Sequence, residues 1–281
     1  MDIPKEYRLA YPWLPVKETR DVVCCLCDGT NETKDVFKFS INDKVFSIRH
    51  CSHDNLLFLH PQPTGQYLEV LYNHPSYFTG EDDMYGLAVS DEKSKTVAGF
   101  RIEEIKDYFK KENKNILGMS MLEIGCAYGH TLMEARNAGM STTDGIEFSK
   151  KATEVCNTKE GLHVVLGSVN DAFENLFDKK QYNVIAMYSV LEHVNNPLEF
   201  IKRVAPLLSP HGIMVIRVPE MSTKGPWLSL VDHFWHFTQE SLKTALKQAG
   251  LTTINIFPSG TFIGTQHPGT LQSITAIASK K

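Results

Sequence analysis

What the chain lacks bounds it first. No apolar run approaches the roughly 20 residues that a membrane-crossing helix needs. Residues 1–15 mix acidic, basic and proline residues and have no apolar core of the kind a signal peptide carries. Neither a membrane span nor an export signal is expected, so the protein is read as cytoplasmic, with reduced thiols. An excess of basic charge is also missing. The chain has 29 Lys and Arg against 33 Asp and Glu, a formal charge of −4. Its basic residues form nothing longer than short clusters such as Lys110–Lys111, so no nucleic-acid partner is expected. The 42% apolar and 22% charged fractions are ordinary for a globular protein. A length of 281 residues suits a large domain with a small appendage, or two modest domains.

Cysteine is scarce and unevenly placed. Four of the six, Cys24, Cys25, Cys27 and Cys51, fall in one short N-terminal stretch. Alternating apolar residues at Val36, Phe37, Phe39 and Ile41, then Val45, Phe46 and Ile48, predict a β-hairpin turning at Asn42–Asp43. Cys24-x2-Cys27, a hairpin and Cys51 make half of a ribbon-type zinc site, because structural zinc takes four tetrahedral ligands, often paired on tight turns. The second pair lacks its cysteine, since Asp54 stands there; His53, His50 or Asp54 is the candidate fourth ligand, and Cys25 a bystander. The alternative is a β-subdomain without metal that keeps these cysteines as small apolar residues. Residues 1–64 are read as an N-terminal arm and a β-rich, zinc-ribbon-like subdomain. Residues 65–97, with Tyr67, Tyr72, Tyr77 and Tyr85 among turn-formers, are read as a linker or lid, and Tyr77 is a candidate for facing substrate.

Residues 98–281 alternate. A helix from Ala98 with Ile102, Ile105 and Phe109 on one face precedes strand 119–124, helix 128–138, strand 142–147, helix 149–157, strand 162–166, helix 170–177, strand 182–188, helix 197–207, strand 212–218, helix 238–249, and strands 251–257 and 270–278. This order predicts an α/β fold, a parallel sheet covered by helices on both faces. Ser149 and Asn196–Pro197 are expected to start helices, and Gly139 and Gly250 to stop them.

The first strand of this series runs into Glu123-Ile-Gly125-Cys126-Ala127-Tyr-Gly129, a glycine-rich turn opening a helix. The next strand ends in Glu147, spaced to accept two ribose hydroxyls of a nucleoside lying on that turn. The full Gly-x-Gly-x-x-Gly of a dinucleotide site is absent, and Glu123 would repel a pyrophosphate. A nucleoside cofactor with a cationic amine and no phosphate fits instead: S-adenosylmethionine.

Leu122–Gly129 resembles motif I of the class I SAM-dependent methyltransferases. Tyr188–Val194 followed by Asn196–Pro197, and Leu207–Gly212 followed by Val215–Ile216, resemble their later motifs, in order and at matching spacing. The resemblance implies a Rossmann-like, seven-stranded sheet. It also implies that Gly125, Cys126 and Ala127 pass under the methionine part of the cofactor, with Glu123 near its amine. Glu147 would bind the ribose, Phe148 would pack on the adenine, Ser168 and Val169 would flank the base, and Tyr188 and Ser189 would close over the methionine. The cysteine segment, Leu59–Pro63 and Asp232–Thr238 further resemble a bacterial group with an N-terminal zinc-binding segment that methylates sugars, polysaccharide precursors and secondary metabolites. Ala127 departs from the family's usual glycine, Ser168 from its commoner aspartate and Asp54 from its fourth cysteine. Sugar C-methyltransferases of that group have a further C-terminal domain, so C-methylation by their mechanism is not expected.

Methyl transfer from a sulfonium is an in-line displacement that needs alignment, exclusion of water and often removal of a proton. His193, after the fourth strand, is the candidate base; ordering of its loop is the competing role. His233, Trp235 and His236 are candidates for the acceptor pocket, with Trp235 stacking on a ring. The expected activity is methylation of a hydroxyl on a sugar or other small molecule. A scaffolding protein that keeps the fold without turnover is the alternative, on Ala127 and Ser168.

Overall fold

A computed structural model describes residues 7–9, 14–41, 43–74, 91–167, 180–220, 228–259 and 273–280. The expected helix 170–177, and the candidates Tyr77, Ser168 and Val169, lie outside these residues. In chain order the elements are β1 (Tyr7–Leu9), β2 (Thr19–Arg20), β3 (Thr33–Ile41), β4 (Lys44–Cys51), β5 (Leu56–His60), β6 (Gln62–Pro63), α1 (Gly65–Asn73), α2 (Asp91–Lys111), β7 (Ser120–Ile124), α3 (His130–Asn137), β8 (Thr142–Glu147), α4 (Lys150–Lys159), β9 (His163–Leu166), β10 (Tyr182–Tyr188), α5 (Pro197–Val204), β11 (Leu208–Pro219), β12 (Leu228–Leu230), β13 (Trp235–His236), α6 (Gln239–Gln248), β14 (Leu251–Ser259) and β15 (Ser273–Lys280).

The main sheet has seven strands in the order β14-β15-β11-β10-β7-β8-β9. At its centre β7 pairs in parallel with β10 and β8. One strand departs from the parallel expectation: β15 is antiparallel to both β11 and β14. It pairs with its immediate predecessor in the chain, and such a return reverses direction. Successive side chains of a strand point to opposite faces, and the core divides accordingly. Leu122, Ile124, Ile185 and Met187 join the apolar cluster on one face. Met121, Val184 and Ala186 join Ile102, Ile105 and Phe109 of α2 and Leu132 of α3 on the other.

Local chemistry starts and stops the helices where it was expected to. The side chain of Ser149 accepts from the Ala152 N–H, and that of Asn196 from the Glu199 N–H with Pro197 in the first turn. Thr238 and Ser241 cap α6 reciprocally. Gly139 and Gly250 follow α3 and α6 in left-handed conformation (φ 93° and 82°), which only glycine adopts at little cost.

The N-terminal strands form a second sheet, ordered β13-β5-β4-β3. Its edge strand β13 comes from the far end of the chain: Trp235 pairs with Phe58 and His236 with Leu57. Leu14, Phe46, Ile48 and Phe58 belong to the same apolar cluster as Leu122 and Leu242. The stretch read as a turn-rich linker contains α1, whose Tyr67, Leu68, Leu71 and Tyr72 form one buried stripe. The spacing i, i+1, i+4, i+5 is helical, and tyrosines in a polar neighbourhood hid it. The helix read from Ala98 already begins at Asp91.

Trp235 locks the two sheets together. It is 2% exposed, its ring centroid is 5.6 Å from that of Phe58, and its Nε1 donates to the Val194 carbonyl at 2.7 Å. Trp235→Ala is expected to cost about 3–5 kcal/mol, as large buried aromatics do, read by urea unfolding. A loss below about 1 kcal/mol would show that the sheets do not depend on this side chain.

Candidate active site

The turn after β7 is built by backbone geometry. Gly125 lies at φ 72°, and a Cβ there would come within 2.5 Å of Val190 Cγ2. Gly129 lies at φ 74° against Leu162, whose Cδ1 would be 2.4 Å from a Cβ. Between them Ala127 also has positive φ, 47°. A non-glycine residue held there stores strain of about 1–2 kcal/mol. The Gly125 and Cys126 N–H groups both donate to the Ile146 carbonyl, at 2.8 and 3.2 Å. The Cys126 side chain is buried, so this residue offers the turn its backbone rather than its thiol.

Glu147 holds the turn in place. One carboxylate oxygen accepts from the Ala127 N–H at 2.6 Å; the other accepts from the Phe148 and Ser149 N–H groups at 2.8 and 2.7 Å. Burial raises its pKa and these three bonds oppose the rise. The sequence points to Glu147 as a ribose ligand, and the structure adds a second task, bracing Ala127 in its strained conformation.

Glu123 and Arg101 form a buried charge pair beneath the turn. Arg101, from α2, lies 3.5 Å from one Glu123 oxygen and donates to Thr131 Oγ1 at 3.0 Å. The other Glu123 oxygen is buried with no hydrogen-bond partner. Burial pushes the Glu123 carboxyl up to about 7, with Arg101 opposing. The Arg101 guanidinium covers the Tyr188 ring at 4.0 Å. Arg217, 5.4 Å from the ring centre, is itself held by Glu104 at 2.6 and 2.9 Å. Tyr188 thus stands between two cations at the end of β10, with its buried hydroxyl unpartnered. Ser189 follows at φ 55°, its N–H donating to the Arg217 carbonyl at 2.9 Å.

His193 and His233 meet across this rim. Their ring centroids are 4.8 Å apart at 79°. His193 Nδ1 lies 2.8 Å from the Asp232 carbonyl oxygen, a contact that Nδ1–H must donate, so Nε2 carries the lone pair of the neutral ring. Burial pulls His193 down to about 4 and both His233 and His236 to about 3. His193 is therefore neutral across the physiological range and a weaker base than the sequence implies. Glu192 beside it is 1% exposed, and burial pushes its carboxyl up to about 8. Tyr72 of α1 stacks on Phe148 at 6.0 Å and meets His193 edge-on at 6.3 Å. The element read as a linker thus contributes an aromatic wall.

Two expectations need correction. Trp235 cannot stack on an acceptor, because both its ring and its Nε1 are used inside the core. His236 is buried beside it in β13, its ring 6.3 Å from that of His233, so of this pair only His233 meets His193. Arg101 and Tyr72 were missed by sequence reasoning. Arg101 flanks the buried stripe of α2, three residues after Ala98 and four before Ile105, a position from which a long arginine side chain commonly reaches solvent.

The cysteine cluster is assembled by the N-terminal segment. The Cys24, Cys27 and Cys51 sulfurs and an Asp54 oxygen lie within 4.8 Å of one another. Cys24 and Cys51 donate to Asp54 Oδ2 at 3.3 and 3.4 Å, and the Cys27 and Cys51 sulfurs are 3.8 Å apart. Of the three candidates for the fourth ligand, Asp54 occupies that corner. His53 stands outside, its side chain 66% exposed and 3.0 Å from the other Asp54 oxygen. Three soft sulfurs and one carboxylate are a donor set that zinc accepts.

A seven-stranded sheet with one reversed strand, and a glycine turn after its central strand facing an acid at the tip of the next, define a class I SAM-dependent methyltransferase domain. The chain belongs to a family described as a methyltransferase domain, whose profile matches residues 97–256. Similar proteins include the ubiquinone biosynthesis O-methyltransferases of Pelagibacter ubique, 31% identical over 147 residues, and of Maricaulis maris, 25% identical over 173. The matches cover 47% and 55% of this chain. The matched stretch spans 60% of the first relative and 67% of the second. The magnesium protoporphyrin IX methyltransferase of Synechocystis, solved with bound SAH, has the same fold: TM-score 0.55 at 12% identity, covering 78% of this chain and 100% of that one.

The buried acids and histidines set opposite pH dependences. Glu123 and Glu192, raised to about 7 and about 8, keep protons in the folded state that an unfolded carboxyl, with a pKa of about 4.3, has released. Their contribution to stability therefore falls as pH rises from that value to 8. The lowered histidines act the other way, and their contribution is complete above about 6.5. Between pH 6.5 and 8 the carboxyls alone supply a downward slope, so Glu192→Gln is expected to flatten the stability profile there, measured by urea unfolding. An unchanged slope would show that Glu192 is not held protonated.

Proposed function

We propose that this protein transfers the methyl group of S-adenosylmethionine to a hydroxyl of a small acceptor. The observation that carries the reading is the turn Gly125–Gly129, folded between a buried acid with one unpartnered oxygen, Glu123, and the carboxylate of Glu147. When bound, the cofactor supplies an electrophilic methyl on a sulfonium. Glu123 takes its ammonium and Arg101 its carboxylate; both charges are already buried, so little reorganisation is needed. Glu147 accepts from the ribose, because two carboxylate oxygens offer about four lone-pair sites and three are in use. Phe148 packs on the adenine, with Ser168 and Val169 beside the base. Cys126, Ala127 and Gly129 present backbone to the methionine part, and Tyr188 and Ser189 close over it.

His193 is the activating group on the acceptor side. Its tautomer is fixed by the Asp232 carbonyl, which leaves the Nε2 lone pair to receive the hydroxyl proton, while His233 and Tyr72 flank it. Tyr72 and the imidazole edges make an aromatic lining that supports a planar ring bearing the hydroxyl, in keeping with the names of the relatives. The motif resemblance to sugar methyltransferases supports a sugar hydroxyl as the second reading, and Tyr77 is then a further contact. Cys24, Cys27, Cys51 and Asp54 are proposed to hold a structural zinc that ties residues 1–64 to their sheet.

Three measurements check this. Isothermal titration with SAH is expected to give micromolar binding, weakened at least about tenfold by Glu147→Ala through the lost brace and ribose contact; no heat at high micromolar ligand would end the proposal. Labelled methyl transfer to a panel of phenols and sugars is then expected, with turnover reduced about 100-fold or more in His193→Ala. Cofactor binding without any turnover would favour the scaffolding alternative. Metal analysis is expected to find one zinc per chain, lost in Cys51→Ser; less than a tenth of an equivalent would remove the zinc.

A further inference from the structure

We infer that Glu192, His193 and His233 bind one divalent transition-metal ion at the acceptor side of the active site. The three donor atoms lie within 4.8 Å of one another, and all three residues are buried. Their backbones are fixed relative to one another, because the Phe234 and Trp235 N–H groups donate to the Glu192 carbonyl at 2.8 and 3.1 Å. His233, which immediately precedes Phe234, is thereby held against the Glu192–His193 turn.

Three features indicate a cation rather than a packed polar core. First, both carboxylate oxygens of Glu192 are buried without a hydrogen-bond partner. Buried polar groups are normally satisfied, and a carboxyl group with neither oxygen hydrogen-bonded is costly even when protonated; a bound cation would displace that proton. Second, His193 gives Nδ1–H to the Asp232 carbonyl, the arrangement that metal-ligating histidines use to aim the other nitrogen. That nitrogen, Nε2, is 4.0 Å from Glu192 Oε1. Third, the two imidazoles meet at 79° instead of stacking, which lets nitrogens of both converge on one point. Bonds of about 2.0–2.2 Å to a shared ion in tetrahedral geometry set ligand separations of about 3.3–3.6 Å, so the donor atoms, now up to 4.8 Å apart, close by up to about 1.5 Å.

Two imidazoles and a carboxylate suit Mn(II), Fe(II), Co(II) or Zn(II) and leave coordination positions open. Resting on the methyltransferase reading above, an open position takes the acceptor oxygen. The ion lowers the pKa of that hydroxyl, whose proton leaves to solvent while the oxygen keeps its electron pair. The ion occupies the same Nε2 lone pair that otherwise receives the proton, so the two modes of activation are alternatives at one atom.

The donor sets allow a selective probe. Mn(II) prefers oxygen and nitrogen over thiolate, so it distinguishes this site from the cysteine cluster. In a Mn(II) titration of the full chain followed by electron paramagnetic resonance, one tightly bound ion is expected. Glu192→Gln, which keeps the shape of the side chain, and His233→Ala should each weaken binding at least about tenfold, while Cys51→Ser should not. All Mn(II) remaining free at millimolar protein, or equal binding by wild type and both variants, would overturn the site. SAH titration of the same samples reports the cofactor reading separately. SAH binding without Mn(II) binding removes the metal alone, and the converse removes the methyltransferase reading while leaving the metal.

Discussion

The carbonyl oxygen of Glu192 receives two backbone N–H groups, from Phe234 and Trp235, and the active-site rim depends on this joint. It fastens the segment before α6 to the turn after β10. The Asp232 carbonyl takes the His193 Nδ1–H at one end, and Val194 takes the Trp235 indole at the other. The same segment then enters the N-terminal sheet as β13. Backbone bonds in a water-free interior are strong and directional. A short stretch thus determines where His193 and His233 stand, and holds the cysteine-bearing strands against the cofactor-binding half. The N-terminal sheet is thereby tied to the segment that carries His233.

Strain gathers at the same edge. Ala127, Ser189 and Val231 have positive φ, and each such residue costs about 1–3 kcal/mol. Each is tied by neighbours. The Ala127 N–H is drawn onto Glu147, the Ser189 N–H onto Arg217, and Val231 precedes the Asp232 whose carbonyl orients His193. These turns present backbone and side chains at the carboxyl ends of β7 and β10, where open α/β sheets bind ligands. The charges there are also set before any ligand arrives: Glu123 against Arg101, and Tyr188 between Arg101 and Arg217.

The legible part of the site lay in runs of adjacent residues. Glycines at 125 and 129, the acid at 123 and the acid closing the next strand marked the turn between β7 and α3 and the two acids beside it, because such turns are made locally by strand, glycine and helix start. The caps at Ser149 and Asn196 were legible for the same reason. Trp235 was misjudged because an aromatic between two histidines looks like a ligand platform until its ring is seen against Phe58. Tyr72 and Arg101 were invisible because each joins the site from another element, and no local pattern carries that information. The choice of Asp54 over His53 depended on which side chain turned inward.

Over the described part of residues 98–281, the sequence by itself determined the order of strands and helices, the class of sheet and the glycine turn with its two acids. Periodicity, capping and turn chemistry act over a few residues, and they survive without the rest of the molecule. Only the tertiary structure decided the reversed strand β15, the strand lent by residues 235–236 to the N-terminal sheet, the bracing role of Glu147 and the convergence of Glu192, His193 and His233. Those features arise from contacts between residues tens to hundreds of positions apart. Burial there sets the charge state and availability of each group, and burial is a property of the packed fold rather than of the chain.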